Sequence, residues 1–211
     1  MTIQDVINRR NIKYLVHFTR LENLDNILTK GIIPRNDMKD EFINPLDFLL
    51  DDKKSNGKYI YNDDYRYDGK CDYSCLSVGF PNDLMFYKLR ANNPNSEWAI
   101  IVISIEVLIS HNCLFYPCNS ASSDVSHQDI SNFQGAKALD EMFQNELDYP
   151  KNVQAEVMVK GIIEPKHIKG CVFSEQKYVD EYSKKFPNLK FILHPNGQGF
   201  FGKREWTNIG Y

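Results

Sequence analysis

The run Val153-Gln154-Ala155-Glu156-Val157-Met158-Val159, continued by Lys160-Gly161-Ile162-Ile163, limits most sharply what this chain can fold into. Strand side chains alternate with a period of two. Val153, Ala155, Val157 and Val159 therefore share one face, and Gln154, Glu156 and Met158 the other. An ionised carboxylate is costly to take out of water unless it is partnered. A glutamate inside an apolar strand thus needs a reason, and two readings are open. In one, the strand lies at an edge and Gln154 and Glu156 face water. In the other, both line a cleft and the carboxylate is kept there for chemistry.

The chain upstream supplies further elements. Residues 2–10 read as a short helix, and Tyr14-Leu15-Val16-His17-Phe18-Thr19 as a short apolar strand carrying a histidine. Leu21, Leu24, Ile27 and Leu28 recur at helical spacing up to Lys30. Thr19-Arg20-Leu21-Glu22 has the pattern of a capping box, and Gly31 suits the residue after a helix end. Thr19 thus reads as an N-cap as readily as a ligand contact, and His17 as a core histidine. Residues 36–70 are rich in Asp, Asn, Lys and Tyr, with weak apolar patterning. A segment of that length inside a compact domain points to a functional loop or lid.

Cys75-Leu76-Ser77-Val78-Gly79-Phe80 is a strand stopped by Pro81-Asn82, and residues 84–90 form a short helix with Lys88 and Arg90 near its end. Residues 98–108 are strongly β-branched and predict a central strand. The polar loop 119–123 has hydroxyls that could serve a ligand, but such runs are usually plain turns. Residues 135–147 predict an amphipathic helix with Leu139, Met142, Phe143 and Leu147 inward, and 148–152 the turn into the Glu156 strand. A strand at 167–173, a Lys- and Tyr-rich helix at 174–186, a strand at 189–193 and a Gly-rich tail complete the chain. No repeat or linker breaks it, so residues 1–211 read as one domain.

Composition excludes several classes. A net charge of −3 gives no global attraction to nucleic acid, although eight Lys/Arg against four Asp/Glu from Lys166 onward make that part locally basic. Residues 1–10 lack the apolar core of a secretory signal, and no apolar run approaches the roughly 20 residues that span a bilayer. The expected location is cytoplasmic, with no membrane partner. The five cysteines include the close pairs Cys71/Cys75 and Cys113/Cys118, neither with zinc-ligand spacing. Reduced thiols and no metal are expected.

The order of a His-x-Thr strand, helix, long loop, strand, central strands and a late Gln-x-Glu strand resembles the NAD-dependent ADP-ribosyltransferases. More closely, it resembles the DarT family of DNA ADP-ribosyltransferase toxins. The matching pieces are Val16-His17-Phe18-Thr19 with Asn23-Leu24 and Ile27 behind, and Val153-Gln154-Ala155-Glu156-Val157 with Gly161-Ile162-Ile163 after. The resemblance implies a mixed α+β fold with two roughly orthogonal, mostly antiparallel sheets around an NAD+ cleft, flanked by helices. His17 and Thr19 would hold NAD+, the 36–70 loop would cover it, and Glu156 would be the catalytic glutamate. The loop at 126–152 would read the target, with Gln154 contacting the substrate. The family's arginine after the strand-ending proline is replaced here by Asn82, which would then contact the cofactor. Lys88, Arg90 or Arg66 would take the arginine's catalytic part. The implied activity is transfer of ADP-ribose from NAD+ to a base in single-stranded DNA by a toxin, opposed by a macrodomain ADP-ribosylglycohydrolase antitoxin. The same chemistry on RNA or a protein side chain is an alternative, and a non-catalytic nucleotide- or partner-binding module another.

The chemistry also suits the residues without the resemblance. Cleaving the nicotinamide–ribose bond develops positive charge at the anomeric carbon, which a carboxylate stabilises. The same carboxylate can accept a proton from the incoming nucleophile. Lys177, Lys184, Lys185, Lys190, Lys203 and Arg204, with Tyr178, Tyr182, Phe200 and Phe201 nearby, have the composition of a single-strand track. A solvated helix face and a packed tail account for the same residues equally well.

Overall fold

The computed structural model describes residues 1–34, 70–143 and 149–204. The expected lid at 36–70, apart from Lys70, and Arg66 within it lie outside the described residues. The chain forms α1 (Ile3–Arg9), β1 (Leu15–Arg20), a 3-10 turn (Leu21–Asn23) and α2 (Leu24–Lys30). It continues with β2 (Tyr73–Val78), α3 (Asp83–Asn92), β3 (Trp98–Ile103), α4 (Val107–Ser110) and β4 (Cys113–Tyr116). A 3-10 turn (Ile130–Phe133), α5 (Gly135–Glu141) and β5 (Glu156–Lys160) follow. β6 (Ile168–Phe173), α6 (Gln176–Lys185), β7 (Lys190–Leu193) and a 3-10 turn (Gly199–Phe201) end the described chain.

The strands hydrogen-bond in the order β4-β5-β2-β1-β3-β6-β7. Every pairing is antiparallel except β6 with β7. β1 pairs with β3 along its whole length, from Leu15–Ile103 to Arg20–Trp98. It pairs with β2 only at Leu15–Val78 and Val16–Ser77. Two half-sheets, β4-β5-β2 and β1-β3-β6-β7, are therefore joined at a short seam and part beyond it. This is the mixed, mostly antiparallel architecture expected, with the two sheets sharing one hydrogen-bonded order.

Alternation along the strands sorts the core into three parts. Leu15, Leu76, Ile101, Phe115, Val157 and Phe173, one from each of β1 to β6, point to one face of the sheet. They pack there with Val6 of α1, Leu24 and Ile27 of α2, Leu139 of α5 and Tyr182 of α6. On the other face, Val16, Ile100, Val102 and Val172 are covered by Phe86 of α3 with Phe200 and Phe201. Also on that face, but over the short half-sheet, Leu114, Tyr116 and Met158 are covered by Val125 and Phe133. Each buried apolar side chain of this size contributes about 1.5–3 kcal/mol, so each wall is independently stabilised. The seam runs between the two smaller clusters.

Several local expectations are revised. The strand expected to run to residue 108 stops at Ile103: the Ser104 N–H donates to the His167 carbonyl at 2.8 Å and the chain turns into α4. All six residues of β3 are buried, as its central place requires. The capping box at Thr19 does not form. β1 runs through Thr19 and Arg20 instead, and the chain enters α2 by a 3-10 turn with no side-chain cap. Gly31 does end α2, at φ 92°. A Cβ there would lie 2.3 Å from the Ile163 carbonyl oxygen, across the Ile32–Ile163 bridge. The five cysteines are free thiols.

Candidate active site

β5 begins at Glu156 itself. Val153 and Gln154 lie in the preceding turn, where Asn152 Oδ1 accepts the Gln154 N–H at 2.9 Å and the Asn152 carbonyl accepts the Ala155 N–H at 3.0 Å. Gln154 is thus half-buried in the turn and not a strand neighbour of Glu156. Glu156 is only 9% exposed, on a strand held between β4 and β2. That removes the edge-strand reading. Glu156 Oε2 accepts the Ser120 N–H at 3.2 Å, so the polar loop expected to be a plain turn grips the carboxylate.

Register places Glu156 at the seam. It pairs with Tyr116 of β4, and Val157 pairs with Leu76 of β2. One step further along that register sets the buried Ser77 opposite Glu156, and Ser77 pairs with Val16 of β1. The row Tyr116, Glu156, Ser77, Val16 therefore crosses from the short half-sheet onto the seam. Glu156 shares the face of Met158, away from the main core. Tyr116 stacks on Phe133 with centroids 4.1 Å apart, and the Lys70 ammonium lies 5.2 Å from the Tyr116 ring centroid. Burial holds the nearby Cys118 thiol above its ordinary pKa, and the charges of Asp124 and Glu156 add to the effect. Cys118 is therefore protonated and no nucleophile.

His17 lies on β1, next to the β1–β2 seam. Where β1 leaves β2, its imidazole reaches across, with Nδ1 2.9 Å from the Cys75 carbonyl oxygen. A carbonyl only accepts, so Nδ1 carries the proton and Nε2 is left as an acceptor. Burial lowers the His17 pKa, against the smaller opposing effect of the Cys75 carbonyl, so the ring is neutral at neutral pH. Cys75 pairs with Met158, two residues from Glu156. With strands about 4.8 Å apart and about 3.4 Å of rise per residue, this puts His17 and Glu156 on the same short stretch of seam. Thr19 is buried, and its hydroxyl accepts from Asn23 Nδ2 at 3.2 Å, leaving its own O–H as a donor.

The remaining candidates separate. Asn82 is buried and N-caps α3, its Oδ1 accepting the Met85 N–H at 3.1 Å. Lys88 is exposed on α3. Arg90 donates to Asn196 Oδ1 at 3.0 Å and to the Phe201 carbonyl at 3.1 Å, with its guanidinium over the Phe86 and Phe201 rings. Arg90 thus anchors the C-terminal segment. The basic surface of α6 is displaced from Glu156 as well: α6 covers the main core through Tyr182, on the opposite face of the sheet, and Lys185 pairs with Asp25. Replacing Lys184 and Lys185 with Glu is accordingly expected to leave activity and nucleic-acid affinity within about twofold, checked by filter binding over a salt series. A steep loss would return the track to α6. Ser77, Ser120, Tyr116 and Phe133 were not singled out as site residues in the sequence, because register and packing alone bring them to Glu156.

Seven strands in this order, with a buried glutamate opening one strand at the seam and a His-x-Thr strand beside it, agree with the ADP-ribosyltransferase fold that the sequence resemblance implies. The family model described as ssDNA thymidine ADP-ribosyltransferase, DarT, matches residues 16–196. The chain belongs to that family. Among solved structures, Thermosipho africanus DarTG in complex with ADP-ribose is 18% identical, with a TM-score of 0.59. That match covers 90% of this chain and 51% of the other, so this chain spans about half the length of the Thermosipho protein. Thermus sp. 2.9 DarT in complex with carba-NAD+ is 16% identical, with a TM-score of 0.53 over 87% of this chain and 96% of that one. The same Thermus protein in complex with ADP-ribosylated ssDNA gives 16%, 0.51, 87% and 94%. At these identities the likeness is one of fold. None of the curated proteins matches the sequence. No described helix is long and apolar enough to cross a membrane, and no described cluster of His, Cys, Asp and Glu is arranged to hold a metal.

Proposed function

We propose that this chain cleaves NAD+ and transfers ADP-ribose to a thymine of single-stranded DNA, acting as a toxin. The observation that carries this reading is Glu156: a carboxylate 9% exposed at the seam, fixed by the Ser120 N–H, with neutral His17 bonded to the Cys75 carbonyl of the adjoining strand. The His17 Nε2 acceptor and the Thr19 O–H donor hold the ribose and the nicotinamide amide. Glu156 accepts a hydrogen bond from the ribose hydroxyl next to the anomeric carbon and stabilises the charge that develops there. The C–N bond to nicotinamide breaks, and nicotinamide leaves as the neutral base with the electron pair. The base attacks the anomeric carbon and gives up its proton to Glu156. An unpaired base is required, because the attacked carbon lies inside the cleft. The family arginine's part falls to Arg66, since Arg90 is engaged at the C-terminal segment. Residues 126–152 read the target, with Gln154 at their end. The whole chain acts as one transferase domain in the cytoplasm, which suits five free thiols. A macrodomain that removes the modification is its antitoxin.

Incubation with labelled NAD+ and, separately, single-stranded DNA, RNA and protein tests the reading. Label on single-stranded DNA alone is the expected result. Label on RNA or protein transfers the same chemistry to another target, and label on nothing leaves a binding module.

The state of His17 gives a pH prediction. Its folded pKa lies below the ordinary 6.5. The neutral form is therefore favoured by the fold, and its contribution is complete above pH 6.5 and lost as pH falls toward the lowered value. The KM for NAD+ is expected to be flat above pH 6.5 and to rise on the acid side. The rise should be absent in His17→Gln. Identical acid limbs in both proteins would detach the profile from His17.

A further inference from the structure

We infer that Arg204 is a positioning residue, which fixes the turn before Glu156 so that the target base is presented to it. This rests on the proposed activity. Arg204 Nη1 donates to the Pro150 carbonyl at 2.9 Å, and Nη2 to the Lys151 carbonyl at 3.1 Å. One planar cation thus holds two consecutive carbonyls, a two-point restraint that sets orientation as well as distance. The guanidinium faces backbone oxygens, an arrangement that does not suit a phosphate-tracking role. Its own anchorage is firm. The Arg204 N–H donates to Asp83 Oδ2 at 3.0 Å, at the first turn of α3. Arg90, near the other end of α3, holds the Phe201 carbonyl, and Phe200 and Phe201 are buried beneath.

The C-terminal segment is therefore a strap fixed along α3, and Arg204 extends from it to the turn. That turn is closed on its other side by the Lys151 N–H to the Met142 carbonyl, at 3.0 Å. Asn152 follows, then Glu156 after three further residues. The 3-10 turn upstream is pinned separately, by Phe133 on Tyr116. The segment proposed to read the target thus has one foot on the short half-sheet, while its other foot is held by Tyr149 against the Phe86–Phe200 cluster, by the Lys151–Met142 bond and by the two-point grip of Arg204. His17 and Thr19 belong to β1, and their hydrogen bonds run to the Cys75 carbonyl and Asn23. Removing the clamp should accordingly weaken use of the DNA and leave NAD+ alone.

The test uses the full chain with Arg204→Ala, and Arg204→Lys as the second variant should the first fail to fold. In Arg204→Ala, amide exchange over residues 149–155 is expected to speed up while β1 and β5 stay protected. The KM for single-stranded DNA should rise about tenfold with kcat much less changed. NAD+ affinity should stay within about twofold. Arg204→Lys should recover part of the KM, because an ammonium reaches one carbonyl but not both. Unchanged exchange at 149–155 would overturn the inference, as would equal losses in DNA use and NAD+ affinity. If the wild-type chain labels no DNA, the proposed activity fails, and the exchange measurement still decides whether Arg204 positions the turn.

Discussion

Glu156→Gln is expected to bind NAD+ as the wild type does and to transfer ADP-ribose about 10²- to 10⁴-fold more slowly, a loss of roughly 3 to 5 kcal/mol of transition-state stabilisation. Glutamine matches glutamate in size and keeps an oxygen that can accept the Ser120 N–H, so the geometry at the seam survives. What is lost is the negative charge, which matters most when the ribose carries positive charge. NAD+ already has a cationic nicotinamide, so some ground-state weakening is expected, but it is small beside the loss in rate. Stability should hold or rise, because a buried carboxylate kept for chemistry is costly to desolvate. Single-turnover transfer to single-stranded DNA, with thermal melting of both proteins, measures the two effects separately. A folded Glu156→Gln that keeps most of its activity would end the assignment of Glu156 to the chemistry.

Glu156 was legible because an acidic residue in an apolar, alternating strand is an anomaly that one sequence displays by itself. The faces of that strand were legible for the same reason: Val157 and Val159 entered the main core and Met158 the opposite cluster, as a period of two requires. What the sequence could not supply was where the strand starts. Asn152 draws the next residues into a turn through its side chain and carbonyl, and so moves Gln154 off the strand. Thr19 shows the converse error. Its local pattern favoured a cap, but six β1–β3 pairings kept the chain extended through Arg20, and long-range pairing outweighed the local preference. β4, only four residues long, carries too few side chains to display a period, yet it holds Tyr116 beside Glu156. In the sequence, Arg90 reads as a candidate for the family arginine's part and Arg204 as part of a phosphate track. Only folding shows that both are engaged by backbone carbonyls from distant segments.

The second large effect is expected at His17. Its Nδ1–H is committed to the Cys75 carbonyl, which fixes the tautomer and leaves Nε2 as the ring's acceptor. Burial keeps the ring neutral, so that acceptor is available throughout the neutral range. His17→Ala removes it and also leaves the Cys75 carbonyl without this donor where the two half-sheets part. NAD+ affinity is expected to fall about 10- to 100-fold, equivalent to roughly 1.4 to 2.7 kcal/mol. The rate at saturating NAD+ should change much less, because His17 holds the substrate and does not take up the charge that develops on the ribose. The melting temperature should drop by no more than a few degrees, since the ring is only half-buried. The pattern is thus the reverse of that for Glu156→Gln: affinity lost with turnover kept, against turnover lost with affinity kept. Calorimetric titration with NAD+ and single-turnover transfer, run on both variants, make the comparison. An unchanged NAD+ affinity in folded His17→Ala would leave His17 as a structural bridge across the seam and would move the ribose contact to another residue.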